Sequence, residues 1–167
     1  MAEKVLIWAQ TQDGTIAMNG MIPWHVQDDM KFFAQTTKNQ VVLMGRNTML
    51  SLNGCPLPNR INLVLTHQKT LEVPSGFHLV NSMEAAEKIA DAADKKLMVI
   101  GGKGIYDSYL PIADQLLITY LDTDFHGDVL MDPIKDEWKK ELYASGGANE
   151  NNDYAYQIWN YQRSSNS

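Results

Sequence analysis

Apolar residues in this chain arrive in short unbroken runs, and between the runs they recur at helical spacing. Residues 5–9 (Val5-Leu6-Ile7-Trp8-Ala9), 41–44, 61–66, 77–80 and 97–100 read as strands, and several are too uniformly apolar to show a wet face. Helices are expected from about 28 to 37, over a short stretch after Thr48, from Ser82 onward, and from the glycines at 101–104 to about Tyr109. Ser82 is a natural N-cap for a helix whose apolar stripe is Met83, Ala86, Ile89, Ala90 and Ala93. Residues 11–25, with Asp13-Gly14 and Asn19-Gly20, read as a long loop. After Gln115 the pattern changes to strands at 115–121, 137–145 and 153–162 with no helical stretch between them, and 146–152 reads as the loop of an antiparallel hairpin.

Strand and helix in alternation, with buried strands, imply an α/β fold: one parallel sheet covered by helices on both faces and made mixed by the terminal hairpin. The length of 167 residues suits a single domain, expected over 1–163, with 164–167 a disordered tail. A hydrophobic fraction of 44% against 20% charged excludes disorder. The net charge of −6 argues against nucleic-acid and anionic-membrane partners. The one cysteine, Cys55, allows no internal disulfide, and the apolar run at 5–9 is too short for a signal peptide or a span, so a cytoplasmic protein is expected. The histidines at 25, 67, 78 and 126 lack metal-ligand spacing, so no metal is expected.

Ligands of such sheets bind beyond the C-terminal strand ends. Gly45-Arg46-Asn47-Thr48 follows one strand and opens a helix, offering backbone N–H groups, a hydroxyl and a guanidinium to an anion; a plain turn with a solvated Arg46 fits equally. Gly101-Gly102-Lys103-Gly104 repeats the arrangement after another strand, so a dinucleotide could lie across both. On the helix at 28–37, Asp29 shares a face with Met30, Phe33 and Thr37, while Asp28, Lys31 and Gln35 turn away. A carboxylate on an apolar face needs a partner, whereas either aspartate could simply cap the helix; Asp28 could cap while Asp29 serves a site.

Trp8-Ala9, Pro23-Trp24 with Asp28-Asp29, Met44-Gly45-Arg46-Asn47-Thr48, Pro56-Leu57-Pro58-Asn59-Arg60, Leu65-Thr66-His67-Gln68, Ile100-Gly101-Gly102 with Ile105-Tyr106, and Gly127-Asp128 are collinear. In order and spacing, from about residue 4 to 162, the chain resembles the bacterial chromosomal dihydrofolate reductases. The resemblance implies a sheet of about eight strands with about four helices, a monomer, NADPH as cofactor, and reduction of 7,8-dihydrofolate to tetrahydrofolate for one-carbon metabolism, with antifolates as inhibitors.

It also implies roles for residues. Asp29 would hold the pterin and promote protonation at N5, supported by the Thr119 hydroxyl, with Trp24 holding a water. Ile7 and Ile100 would line the ring edge through their carbonyls, with Tyr106 nearby, and Met30, Phe33, Leu52 and Leu57 would pack the ring and aminobenzoyl group. Arg60 would clamp the glutamate α-carboxylate, a planar fork suited to it. Gly45 to Thr48 and Gly101, Gly102, Lys103, Gly104, Ile105 and Tyr106 would hold the cofactor pyrophosphate, the Gly101–Gly102 peptide being cis. Arg46, Thr66, His67 and Gln68 would surround the 2′-phosphate. The loop at 13–22 would close over the nicotinamide, with Ala9, Ile16, Gly20 and Met21 on the cofactor. Gln27 stands where the family usually has proline, and Ala17 where glycine is common in the lid. The rivals are a same-fold reductase of a ribosylated pyrimidine, against which Asp29 and Arg60 argue, a non-catalytic dinucleotide-binding module, and an oligomerising structural domain.

Overall fold

The computed structural model describes residues 2–17, 22–68 and 71–163. Among them the chain forms β1 (Lys4–Thr11), β2 (Thr15–Ala17), α1 (Gln27–Thr37), β3 (Val41–Met44), α2 (Arg46–Ser51), β4 (Ile61–Leu65), β5 (Phe77–Val80), α3 (Met83–Ala93), β6 (Leu97–Val99), α4 (Lys103–Tyr109), β7 (Gln115–Leu121), β8 (Val129–Leu130), β9 (Trp138–Gly146) and β10 (Tyr156–Arg163). The strand order of the eight-stranded sheet is β5-β4-β3-β6-β1-β7-β10-β9, and β2 and β8 form a separate ribbon. The expected mixed α/β sheet with four helices is therefore present. The contacts divide the chain into two compact units, Met1–Leu6 with Thr36–Ala113, and Ile7–Gln35 with Asp114–Ser167. The 164–167 tail lies outside the described residues.

In the first unit β3 pairs in parallel with β4 and β6, and β4 with β5. All four β3 side chains are fully buried, which is why that run carries no polar alternation. α3 starts on the Ser82 side chain, which accepts from Ala85 N at 3.0 Å, and it packs through fully buried Ala86 and Ala90.

In the second unit β10 pairs antiparallel with β7 and with β9, a bulge falling between Ile158 and Trp159. Thr119 is directly opposite Ile158, and Leu121 opposite Tyr156. The long loop expected at 11–25 is interrupted: Thr15 and Ala17 pair with Leu130 and Val129. Asp13 fixes the turn into β2, accepting from the Thr11 and Thr15 hydroxyls and meeting His126 Nδ1. A three-residue strand whose partner is far along the chain leaves no periodic trace. Gly127 lies where a Cβ would fall 2.3 Å from the Ala17 carbonyl oxygen.

Candidate active site

In the second unit, Asp29 is in the first turn of α1 and Thr119 is buried in β7. The Thr119 hydroxyl donates to Asp29 Oδ1 at 2.6 Å, the partnership that a carboxylate on an apolar face requires. Burial pushes the Asp29 carboxyl above its ordinary range, and the Thr119 bond draws it part of the way back. Asp28 does not cap the helix from outside; it lies within the first turn, and its carboxylate accepts from Tyr156 and Asn152. Those bonds hold the Asp28 carboxyl below its ordinary value. Two adjacent aspartates are thus pushed in opposite directions, Asp29 by burial and Asp28 by donors.

The rest of this group is placed in varied surroundings. Ile7 is buried, Trp24 and Phe33 are half-buried, and Met30 is 58% exposed. The face shared with Asp29 is thus less uniformly buried than its spacing suggests. Phe32 carries much of the packing instead, its ring 5.2 Å from that of Tyr143. Trp8 belongs to the core and donates to Gln10 Oε1 at 2.9 Å. Ala9 and Ile16 are half-buried, whereas Gly20 and Met21 lie outside the described residues.

In the first unit the two glycine turns meet. Gly45 N donates to the Gly101 carbonyl at 2.8 Å, and the Gly101–Gly102 peptide is cis. A Cβ on Gly101 would meet the Tyr106 hydroxyl at 3.3 Å and Thr48 Oγ1 at 3.4 Å; one on Gly45 would meet Ile105 Cγ1 at 3.1 Å. Gly45 and Gly102 are the N-caps of α2 and α4, and neither helix has a side-chain cap bond. Arg46 and Asn47 are exposed beside this junction and Thr48 is half-buried. Lys103 pairs with Asp107 at 2.7 Å within α4. Ile100 is half-buried, its N–H on the Leu43 carbonyl.

Arg60 ends the turn that begins at Leu57, with Asn59 in the left-handed region at φ 61°. The strut of that turn is Asn62, a residue not anticipated from the sequence. Its Oδ1 accepts from Leu57 N, and its Nδ2 donates to the carbonyls of Leu57 and Arg60, at 3.0, 3.0 and 3.2 Å. Asn62 is 2% exposed, and an amide inside Ile61-Asn62-Leu63-Val64-Leu65 was the available signal. Burial pushes the Arg60 guanidinium down from its ordinary value. Leu52 and Leu57 are half-buried on the same stretch. Thr66 Oγ1 accepts from Gln68 N at 3.2 Å, and Asn81 Nδ2 donates to the Thr66 carbonyl at 2.9 Å, folding 66–68 into a turn with His67 and Gln68 exposed.

Comparison with known proteins gives this geometry a family. A family model described as dihydrofolate reductase matches residues 4–163. The chain belongs to the dihydrofolate reductase family. It is 36% identical to the dihydrofolate reductase of Haemophilus influenzae over 150 residues, covering 89% of this chain and 91% of that one. It is 32% identical to the Bacillus subtilis enzyme over 163 residues, covering 96% and 95%. A solved dihydrofolate reductase from Enterococcus faecalis, complexed with NADP(H) and RAB-propyl, is similar at a TM-score of 0.85 and 32% identity, over 98% of this chain and 97% of that one. The protein is thus an oxidoreductase of this family. No helix among the described residues is long and apolar enough to cross a membrane.

Proposed function

We propose that the protein reduces 7,8-dihydrofolate to 5,6,7,8-tetrahydrofolate, with NADPH as hydride donor and Asp29 as the group that orients the pterin and promotes protonation of its N5. The observation that carries this reading is the Asp29 carboxylate, raised by burial and held by Thr119 at 2.6 Å. A carboxylate fixed at one oxygen presents a two-point acceptor to a ring N–H and its neighbouring amino group, and a raised pKa keeps a proton within reach of N5. Trp24 holds a water beside Asp29 on this reading. Ile7, Met30, Phe33, Leu52, Leu57, Ile100 and Tyr106 line and pack the pterin and aminobenzoyl groups, and Arg60 takes the glutamate α-carboxylate.

The residues present fit NADPH. Glycines at a junction a Cβ would crowd let backbone approach a ligand, and two uncapped helix starts offer N–H donors to a pyrophosphate. Gly45 to Thr48 and Gly101 to Tyr106 hold that group, with Lys103 contributing from its pairing with Asp107. Arg46, Thr66, His67 and Gln68 select the 2′-phosphate, and Ala9, Ile16, Gly20 and Met21 serve the nicotinamide end. NADPH supplies the hydride when bound. The continuous family match over 4–163 supports reading both units as one functional domain. An exposed, free Cys55 thiol suits a reducing cytoplasm, where a monomer would serve one-carbon metabolism and antifolates would compete for the pterin site.

The test is NADPH oxidation followed by absorbance, with and without dihydrofolate. Oxidation that depends on dihydrofolate, and falls about 10²–10⁴-fold in Asp29→Asn with a residual rate that climbs as pH drops, is expected. Near-normal turnover of Asp29→Asn at neutral pH would refute the assignment.

A further inference from the structure

The first N–H groups of a helix have no acceptor inside it, and a Ser, Thr, Asp or Asn just ahead of the helix commonly supplies one. Val26 occupies that place before α1 and has no side-chain oxygen. The acceptors come instead from the connection between β9 and β10. Gln27 N donates to the Asn151 carbonyl at 3.0 Å, using an N–H that a proline at this position would lack, and Asp28 N donates to Asn152 Oδ1 at 3.1 Å. Asn152 is 1% exposed, and its Nδ2 returns a bond to Asp28 Oδ2 at 3.1 Å. The Tyr156 hydroxyl donates to the same oxygen at 2.8 Å. His25 exchanges two bonds with Asp153, and Val26 bridges Asn152. Every residue from His25 to Asp28 is therefore tied to 151–156.

The clasp ends one residue before Asp29. Thr119 and Ile158 are register partners, and Tyr156 lies two residues from Ile158 on the same strand. Thr119 and Tyr156 therefore project from the same face of the sheet. Two neighbouring carboxylates of α1 land on two hydroxyls of that face, Asp28 on Tyr156 and Asp29 on Thr119. Successive helix residues are turned by about 100°, so fixing Asp28 sets the rotation of the helix about its axis and with it the aim of Asp29.

We infer that Asn152, Asp28 and Tyr156 are positioning residues for the reaction: they hold the first turn of α1 so that the Asp29 carboxylate meets Thr119 and the pterin at one fixed angle. Burial and the nearby Asp28 and Asp29 carboxylates push the Tyr156 phenol up to about 12, so it remains a donor throughout the working pH range. The inference rests on the assignment of Asp29 to the pterin.

The experiment is a double-mutant cycle on the hydride step, measured at saturating NADPH and dihydrofolate. Asn152→Ala is expected to slow that step on the order of 10- to 100-fold, the scale of an ångström of misplacement, while the NADPH KM stays within about twofold. In an Asp29→Asn background the same substitution should cost less than about threefold, because a pair acting through one group is not additive. Asp28→Asn keeps an oxygen for Tyr156 and should recover most of the rate that Asp28→Ala loses. Should Asn152→Ala fail to fold in a thermal melt, Tyr156→Phe, which deletes one hydroxyl, carries the same cycle. An equal loss in both backgrounds, or a rise in the NADPH KM parallel to the fall in rate, overturns the inference while leaving Asp29 in its role. Full activity of Asp29→Asn alone overturns the reading beneath it.

Discussion

Asn62→Ala tests whether a residue that touches no ligand sets substrate affinity. The side chain makes three hydrogen bonds, one from Leu57 N and two to the carbonyls of Leu57 and Arg60, and it is 2% exposed. A net contribution of about 0.5–1.5 kcal/mol per bond gives a ceiling near 4.5 kcal/mol, and water reaching part of the turn brings the expected loss to about 2–4 kcal/mol. For a chain of this length that is a fall in Tm of about 5–15 °C. Beyond stability, the turn carrying Arg60 loses its strut. On the proposed placement of the glutamate at Arg60, the dihydrofolate KM should then rise by about 10- to 100-fold with kcat within a few fold, because a carboxylate clamp remote from the reacting atoms is made alike in ground and transition states. Steady-state kinetics with dihydrofolate and with a dihydropterin lacking the glutamate decides the matter. The truncated substrate has nothing for Arg60 to hold, so it should react alike with parent and variant. A Tm that falls with no change in the dihydrofolate KM, or an equal loss on the truncated substrate, refutes the argument.

Two further outcomes follow from the second unit. Asp29 is raised by burial, so its ionisation costs the folded state; its contribution is fully favourable below the unfolded carboxylate value and is lost as pH rises through the raised folded value. Asp29→Asn should therefore melt higher than the parent at pH 7, with the gap closing below about pH 4, and a variant that melts lower at pH 7 contradicts the shift. Gly127→Ala would set a Cβ 2.3 Å from the Ala17 carbonyl oxygen and 2.7 Å from Thr15 Cγ2. Backbone cannot yield as a side-chain tip can, so a loss of about 1–3 kcal/mol is expected, with faster amide exchange at Met131, whose N–H donates to the Gly14 carbonyl at 2.8 Å. Unchanged exchange at Met131 would show that β2 and β8 stay paired.

What could be read from the chain divides by the range of the interaction that fixes it. The runs at 41–44 and 97–100, the Ser82 cap and the hairpin strands β9 and β10 each carry their cause locally, in apolar continuity, a side-chain oxygen or a turn sequence. The glycine turns at 45 and 101 were visible as turns, and their meeting through Gly45 N and the Gly101 carbonyl followed only from β3 and β6 being neighbours. The Asp29–Thr119 pair was expected from family resemblance, since nothing in Leu116-Leu117-Ile118-Thr119 singles out a hydroxyl as a carboxylate's partner. Three of the residues not anticipated are asparagines: Asn62 under the Arg60 turn, Asn81 behind 66–68, and Asn152 against α1. An asparagine amide has both a donor and an acceptor end, so it can cross-link two backbones, but its sequence context looks the same whether it does so or faces water. Two of the three are about as buried as the apolar core, Asn62 at 2% and Asn152 at 1% exposure, and each returns bonds from both ends of its amide. A buried amide satisfied at both ends costs little, whereas truncating it strands the groups it joined. That asymmetry is why these positions, silent in the sequence, are where single substitutions should separate the proposed binding of the glutamate from the proposed orientation of the pterin.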